Sequence, residues 1–162
     1  MKLTKSNFIT MGITLVITLT FITFVAQGAI VSGDSMFPTL KNQDIVAMEK
    51  ITKEYNRYDI VIIKIDHVHI IKRIIGLPGE TIQIIDNDIY INDEKIEDPV
   101  DIEMEDYGLA AEKITLGNNE YFVMGDNRNK SCDSRFEEIG LILKENIKGK
   151  VIASVMPFKL FK

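Results

Sequence analysis

A serine and a lysine in two short segments of this chain could together hydrolyse an acyl bond. Ser35 lies in SGDSMFPTL at residues 32–40, and Lys72 lies in HIIKRIIGLPGE at residues 69–80. A lysine amine can take the proton of a serine hydroxyl, provided that burial keeps the amine neutral. Taken alone, Ser35 is more typical of an ordinary turn, and Lys72 is more typical of a strand lysine whose amine reaches water.

The residues around Lys72 favour a buried amine. In a strand, residues two apart share a face, so Ile70, Lys72 and Ile74 point one way in IIKRII. Desolvation lowers the pKa of a lysine, and a base that works near neutral pH needs a pKa of about 7–8 against about 10.4 unperturbed. The sequence therefore makes Lys72 a candidate general base and Ser35 a candidate nucleophile.

A polar segment, GDNRNKSCDSR at residues 125–135, could support this pair. Asp133 and Arg135 are two residues apart and could form an ion pair, and Ser131 could contact the lysine amine. The same composition also fits a solvated surface loop, and spacing alone does not separate the two readings.

Histidine and cysteine offer weaker alternatives. His67 and His69 could share a strand face, but no further ligand at suitable spacing accompanies them, so the sequence predicts no metal site. Cys132 is the single cysteine, which excludes an intrachain disulfide, and nothing in its surroundings marks an activated thiol. No phosphate-binding glycine motif is present, and we expect no cofactor.

The N-terminus carries an apolar run long enough to cross a bilayer. Residues 8–31 contain no charged side chain, and Lys2 and Lys5 precede them. By the positive-inside rule, this pattern predicts a cytoplasmic segment at 1–7, a transmembrane anchor at 8–31 and an extracytoplasmic domain at 32–162. The alternative is a cleaved signal peptide, supported by the small residues at 26–28, but the run exceeds the usual apolar core of about 7–15 residues.

The charge of the part outside this run excludes one class of partner. Residues 32–162 carry 17 basic and 24 acidic side chains, a net charge of −7, with no basic patch. This argues against nucleic acid as a partner and against electrostatic binding to anionic lipid, so contact with lipid would depend on the anchor. The C-terminal MPFKLFK is more typical of a closing strand than of a membrane contact. The sequence gives no prediction of oligomeric state.

Beyond the anchor, the pattern predicts a mainly β domain of packed antiparallel sheets. The segment at 97–119, called the excursion below, is acidic and weakly patterned, and it predicts a long surface loop. Turns are predicted at 77–79 and 86–88 from their Pro, Gly, Asn and Asp residues. Short runs rich in Ile, Val, Tyr and Phe predict strands at 44–48, 59–64, 68–75, 81–85, 89–91, 121–124, 141–143 and 150–156.

The order of these segments resembles the bacterial type I signal peptidases. The anchor is followed by SGDSMFPTL, YDIVIIK at 58–64, IIKRIIGLPGE and GDNRNKSCDSR, which together span most of the chain as far as residue 135. The single anchor and small size are similar to the short forms of Gram-positive bacteria. The resemblance implies a signal-peptidase-like complex β fold with one transmembrane helix, and an endopeptidase that cuts exported preproteins after small residues at −1 and −3.

The resemblance also implies roles for individual residues. Ser35 matches the nucleophile and supplies its backbone N–H to the oxyanion, Lys72 matches the general base, and Ser131 matches the hydroxyl that orients the lysine. Asp133 and Arg135 match a supporting ion pair. Some members carry a hydroxyl two positions before the nucleophile as a second oxyanion donor, whereas this chain has Gly33.

For substrate, we expect an extended peptide beside residues 32–34 and 68–71, with Met36 and Ile70 lining shallow apolar pockets. Two other functions stay open at this stage. One is a self-cleaving repressor with the same dyad, although the chain has no helix-turn-helix pattern. The other is a noncatalytic, membrane-tethered module that binds signal sequences.

Overall fold

The computed structural model describes residues 5–24, 26–52, 54–156 and 158–161, and it places one helix before two antiparallel β-sheets. Helix α1 spans Lys5–Phe24. The strands are β1 Ala26–Ile30, β2 Ile45–Glu49, β3 Ile60–Ile65, β4 Val68–Gly76, β5 Thr81–Ile85, β6 Asp88–Ile91, β7 Glu94–Lys95, β8 Ile114–Thr115, β9 Glu120–Met124, β10 Ile142–Leu143, β11 Ile147–Met156 and β12 Phe158–Leu160.

The predicted anchor divides into two elements in the structure. Its first part forms α1, whereas Ala26–Ile30 forms β1 and pairs with β2. None of the helices in the described residues has both the length and the apolar character that a bilayer crossing requires. The anchor at 8–31 therefore stays a prediction, and residues 1–4 of the predicted cytoplasmic segment lie outside the described residues.

The larger sheet has the strand order β1-β2-β11-β3-β4-β9-β10, with β12 also paired to β11. The smaller sheet has the order β7-β6-β5-β8. All of these pairings are antiparallel, which confirms the predicted fold class for the β part of the chain.

Tight turns set the register of the hairpins. Asp86 and Asn87 have φ values of 50° and 70° and join β5 to β6, as their residue types predict, because Asn and Asp tolerate the left-handed region. Gly79 has φ of 81° in the turn predicted at 77–79. A further turn at Asn92 and Asp93, with φ of 51° and 68°, joins β6 to β7.

The excursion differs from its prediction, because it helps to form the core between the sheets. It contains a 3₁₀ turn at Gly108–Ala111 and strand β8. Met104, Ala110 and Leu116 are almost completely buried against the small sheet and against β9. The apolar residues of the excursion are too widely spaced to give a helix or strand period, so the sequence did not reveal that they are buried.

Candidate active site

The turn that carries Ser35 is held on two sides. Met36, the next residue, is 1% exposed and packs in a core cluster with residues of β2, β3 and β11. From the opposite side, the backbone N–H of Asn127 donates to the Ser35 carbonyl at 2.9 Å, and the Asn127 side chain donates to the Asp34 carbonyl at 3.1 Å. Ser35 and Asn127 are 92 residues apart in the sequence, so no local pattern predicts this contact.

Gly33 gives this turn its shape. Its φ is 90°, in the left-handed region that favours glycine, and its N–H donates to the Asn42 side chain at 3.0 Å. A side chain at this position would therefore strain the backbone two residues before Ser35. This is a structural reason for glycine at the position where some relatives are expected to have a hydroxyl residue.

The backbone N–H of Ser35 is available to a ligand. Among the described residues it donates to no backbone or side-chain acceptor, whereas the N–H groups of Phe37 and Asn127 are both engaged. An unengaged N–H on the same residue as a nucleophilic hydroxyl is a suitable donor to a developing oxyanion.

Lys72 is buried in the middle of β4. It is only 4% exposed and lies opposite Val61 of β3. Val61 and Ile74 belong to one core cluster, and Ile70 packs against that cluster, as expected for the shared face predicted from the alternation. Burial lowers the pKa of Lys72, and the nearby Asp133 carboxylate opposes this shift only in part.

Ser35 and Lys72 line one cleft of about 310 Å³. Met36 and Ile70, the predicted pocket residues, line the same cleft. Its walls come from the end of β1 with the following turn, and from the first half of β4, and they also include Ala29, Ile30, Val31, Ser32, Ile62, Val68, His69 and Ile71.

Both strands beside the cleft present open edges. β4 pairs with β9 only from Arg73 onward, so residues 68–72 pair with β3 alone. β1 lies at the end of its sheet and pairs with β2 alone among the described strands. The free backbone groups of such edges can bind an extended peptide by strand addition.

Ser131 lies beside the Ser35 turn. It is 6% exposed, and its hydroxyl has no hydrogen-bond partner within the described part of the chain. A Cβ placed on Gly125 would lie 2.5 Å from both the Ser131 Cβ and the Ser35 carbonyl oxygen. Because Gly125 has no side chain, the loop that carries Ser131 can pack against the turn that carries Ser35.

Asp133 and Arg135 form the predicted ion pair, and both are almost completely buried. The Arg135 Nε and Nη2 donate to the two Asp133 oxygens at 2.9 and 3.0 Å. Asp133 also accepts the N–H of Gly125 at 2.9 Å, and Arg135 donates to the carbonyls of Asp106 and Arg128. The pair therefore fixes both ends of the loop that carries Ser131.

Two further ion pairs, which no local sequence pattern indicates, tie this loop to the rest of the domain. Arg73 pairs with Asp126 through two hydrogen bonds, and the side chain of Asp126 is fully buried. The buried Arg128 donates to Asp98 of the excursion at 2.8 Å. The sequence intervals of 53 and 30 residues gave no signal for either pair.

The alternative residues are less suited to chemistry. Cys132 is exposed, but slight desolvation of its thiol, together with Glu138 and Asp133, raises its pKa and opposes formation of the thiolate. His69 lines the cleft, but the described residues contain no group of three or more potential metal ligands. The cleft instead brings together Ser35, the buried Lys72 and two open strand edges, an arrangement that is suited to acyl transfer from an extended peptide.

Comparison with known proteins places this chain in a family. The family model described as signal peptidase, peptidase S26, matches residues 4–156. The chain is 37% identical to signal peptidase I S of Bacillus subtilis strain 168, over 90% of this chain and 85% of that protein. It is 34% identical to signal peptidase I of Leptolyngbya laminosa, over 91% and 77%.

A crystal structure of signal peptidase I from Enterococcus faecalis V583 has a similar fold. The TM-score is 0.51 at 27% identity, and the match covers 60% of this chain and 96% of that one. The mainly β architecture is therefore the one that a solved signal peptidase has.

Proposed function

This chain belongs to the bacterial type I signal peptidases of family S26, and we propose that Ser35 and Lys72 form its catalytic dyad. As a member of this family it is a serine peptidase that removes signal peptides from preproteins. The proposal depends on one observation: Ser35 and the buried Lys72 line the same cleft. The lowered pKa of Lys72 further supports a neutral amine.

The reaction uses groups of this chain and water. Ser35 Oγ attacks the scissile carbonyl while Lys72 Nζ takes the hydroxyl proton, and the Ser35 N–H donates to the oxyanion. Lys72 then gives the proton to the leaving amine, so that the mature protein departs and the signal peptide remains as an ester on Ser35. Lys72 next takes a proton from water, the hydroxide attacks the ester, and the proton returns to Ser35 as the peptide acid leaves.

Ser131 is the proposed positioning residue for the amine. Its hydroxyl is buried, unpaired within the described chain and close to the Ser35 turn, so it can accept a hydrogen bond from Lys72 and direct the amine lone pair toward Ser35. Asp133 and Arg135 support Ser131 by holding its loop.

The cleft accounts for the proposed cleavage after small residues. A peptide that adds to the free edges of β1 and β4 places alternate side chains toward the same wall, so the residues at −1 and −3 point into the cleft. In this proposal Met36 and Ile70, which both line the cleft, form shallow pockets that admit alanine and exclude larger side chains.

We further propose that the apolar run beginning in α1 anchors the protein in the cell membrane as a single pass. The N-terminus would be cytoplasmic and the β domain extracytoplasmic, with membrane lipid contacting the anchor. The uncharged residues 8–24 of α1 support this arrangement. Anchoring would hold the cleft near emerging preproteins and raise their effective concentration.

The dyad is tested with the full-length protein in nonionic detergent and a peptide that contains Ala-X-Ala. Ser35→Ala and Lys72→Ala should each abolish cleavage while the far-ultraviolet circular dichroism stays unchanged. Cys132→Ala, which removes the other nucleophile near Lys72, should cleave at the parent rate. Cleavage by Ser35→Ala at the parent rate would refute the assignment, and loss of cleavage in Cys132→Ala alone would transfer the nucleophile to the thiol.

A further inference from the structure

A second groove continues the catalytic cleft along β1. Its volume is about 500 Å³, and it shares Ala29, Ile62 and His69 with the cleft that contains Ser35 and Lys72. Since three residues form walls of both, a peptide bound in the cleft can continue into the groove. The groove is completed by Gln27, Met48, Lys50 and Lys148.

The direction of the groove identifies which side of the scissile bond it serves. From Ser35 it leads back along β1 to Gln27, and so toward the end of α1. The residues before the scissile bond of a preprotein connect it to the apolar part of the signal peptide, which lies in the membrane. If α1 begins the anchor, both segments approach the membrane from the same side of the cleft, so the groove serves the residues before the cut.

The groove is positively charged in an otherwise acidic domain. Lys50 and Lys148 are both exposed at its wall, and among the described residues neither has a carboxylate within 4.0 Å. Lys148 donates to the Glu145 carbonyl at 2.8 Å, which leaves two of its three N–H groups for a ligand. The domain as a whole carries a net charge of −7, so the two lysines form a local exception.

We infer that this groove binds substrate residues −4 to −6 and that Lys50 and Lys148 select an acidic side chain there. The spacing follows from extended geometry: Ala29 is shared with the cleft, and Gln27 is two residues farther along β1, so a peptide paired with β1 passes Gln27 about two residues beyond −3. The inference rests on the proposed function of the cleft.

Continuity with the cleft favours a peptide over a lipid headgroup as the occupant. A lipid phosphate could reach the same two ammonium groups, but it would not need the shared walls at Ala29 and Ile62 or the apolar floor at Met48. An extended peptide uses all of them, because its side chains alternate between the floor and the charged rim.

The test compares peptide substrates that are identical from −3 onward and carry Glu, Gln or Lys at −4, −5 or −6. The parent, in nonionic detergent without anionic lipid, should cleave the Glu peptide with a kcat/KM about two- to five-fold above the Gln peptide at one of these positions, as expected for a pair of exposed charges. The Lys peptide should be the poorest substrate.

Lys50→Gln combined with Lys148→Gln should remove this preference, so that the Glu and Gln peptides are cleaved with equal kcat/KM. The matched control is Lys95→Gln combined with Lys113→Gln, which changes the net charge equally at two exposed lysines remote from the groove and should keep the preference.

Equal cleavage of the Glu and Gln peptides by the parent at all three positions would overturn the inference and leave the dyad intact. Failure of the parent to cleave any peptide would overturn the proposed function and this inference with it. If the double variant lost binding only to phosphatidylglycerol vesicles and kept its peptide selectivity, the groove would be a lipid site and the inference would be wrong.

Discussion

Arg73 and Asp126 form a bidentate ion pair immediately beside the proposed base. Arg73 Nε and Nη2 reach the two Asp126 oxygens at 2.8 and 2.5 Å, and Arg73 Nη1 donates to the Tyr58 carbonyl at 2.9 Å. Arg73 follows Lys72 on β4, whereas Asp126 begins the loop that leads to Ser131. The pair therefore fixes the distance between the strand with the amine and the loop proposed to orient that amine.

Arg73→Lys should reduce both stability and turnover. An ammonium group cannot reproduce the planar two-point contact, so Asp126 would keep a buried oxygen without a partner, at a cost of about 1–3 kcal/mol in the free energy of unfolding. Urea unfolding and kcat for an Ala-X-Ala peptide are the measurements. The matched control is Arg57→Lys, because Arg57 pairs with Glu80 through two similar bonds away from the cleft. It should lose stability without losing kcat, and an unchanged kcat in Arg73→Lys would contradict the positioning role.

Gly125→Ala should disable the site by displacing its parts. The added methyl group would overlap Ser131 and lie 2.5 Å from the Ser35 carbonyl oxygen, closer than real Cβ contacts occur. Misplacement of reacting groups by about 1 Å can cost about 100-fold in rate, so we expect kcat to fall by about 10- to 100-fold.

Gly28→Ala is the control for this variant. Its Cβ would find only the Val46 carbonyl, at 3.9 Å, and the position is outside the cleft lining. It should retain the parent kcat for the same peptide. Full activity of Gly125→Ala would mean that Ser131 and Ser35 can separate without consequence, which would refute the proposed role of Ser131.

Asp98→Asn should destabilise the loop from the side of the excursion. The Arg128 side chain is fully buried, and Asp98 is its carboxylate partner among the described residues. Loss of that charge would remove the main compensation of a buried guanidinium, with Asp126 as the remaining nearby carboxylate, at a cost of about 1–3 kcal/mol in the free energy of unfolding. Asp88→Asn, which removes an exposed pair with Lys95, should change the free energy of unfolding much less than Asp98→Asn does. Equal effects of the two variants in urea unfolding would contradict this.

The sequence predicted local structure better than long-range contacts. The strand at 81–85 was predicted with the bounds that the structure gives to β5, because alternation and flanking turns are local signals. β1 was missed, because its apolar residues continue the run of α1 without a break in composition. β7 and β8 have two residues each, too few to show any period.

The same limit applies to the site. Ser35 and Lys72 could be selected because each lies in a segment with its own pattern, and Asp133 with Arg135 because they are two residues apart. The pairing of Arg73 with Asp126 depends on β4 and β9 lying side by side, which is a property of the whole sheet and not of either segment.

The pH dependence of cleavage should reflect a lysine that loses its proton unusually easily. A neutral amine is required, and burial lowers the Lys72 pKa, so kcat/KM should rise with pH through an apparent pKa below 10.5. Ile70→Thr should bring polarity and water to the cleft and shift this apparent pKa upward, whereas Ile85→Thr on the exposed face of β5 should not. If kcat/KM of the parent rose with an apparent pKa at or above 10.5, this result would contradict a desolvated base.

Lys72→Met should stabilise the protein in a manner that depends on pH. In the parent, the unfolded chain binds the Lys72 proton up to about 10.5 while the native state releases it at lower pH, so the free energy of unfolding rises with pH between the two pKa values. Below the native pKa the penalty of burying the amine is complete, and above 10.5 it has vanished. The advantage of Lys72→Met over the parent should therefore be greatest at low pH and shrink as the pH approaches 10.5.

Urea unfolding of the inactive but folded Lys72→Met protein across this range measures the difference directly. Lys95→Met is an informative control. In the parent, the hydrogen bond from Lys95 to Asp88 raises the Lys95 pKa at an exposed site, so the free energy of unfolding depends on pH with the opposite sign. In the parent, that lysine contributes stability below 10.5 that is lost above it, so Lys95→Met should show a small disadvantage that disappears at high pH. A difference between Lys72→Met and the parent that stays constant with pH would show that the native pKa of Lys72 is not lowered, and would remove the physical basis for its action as a base.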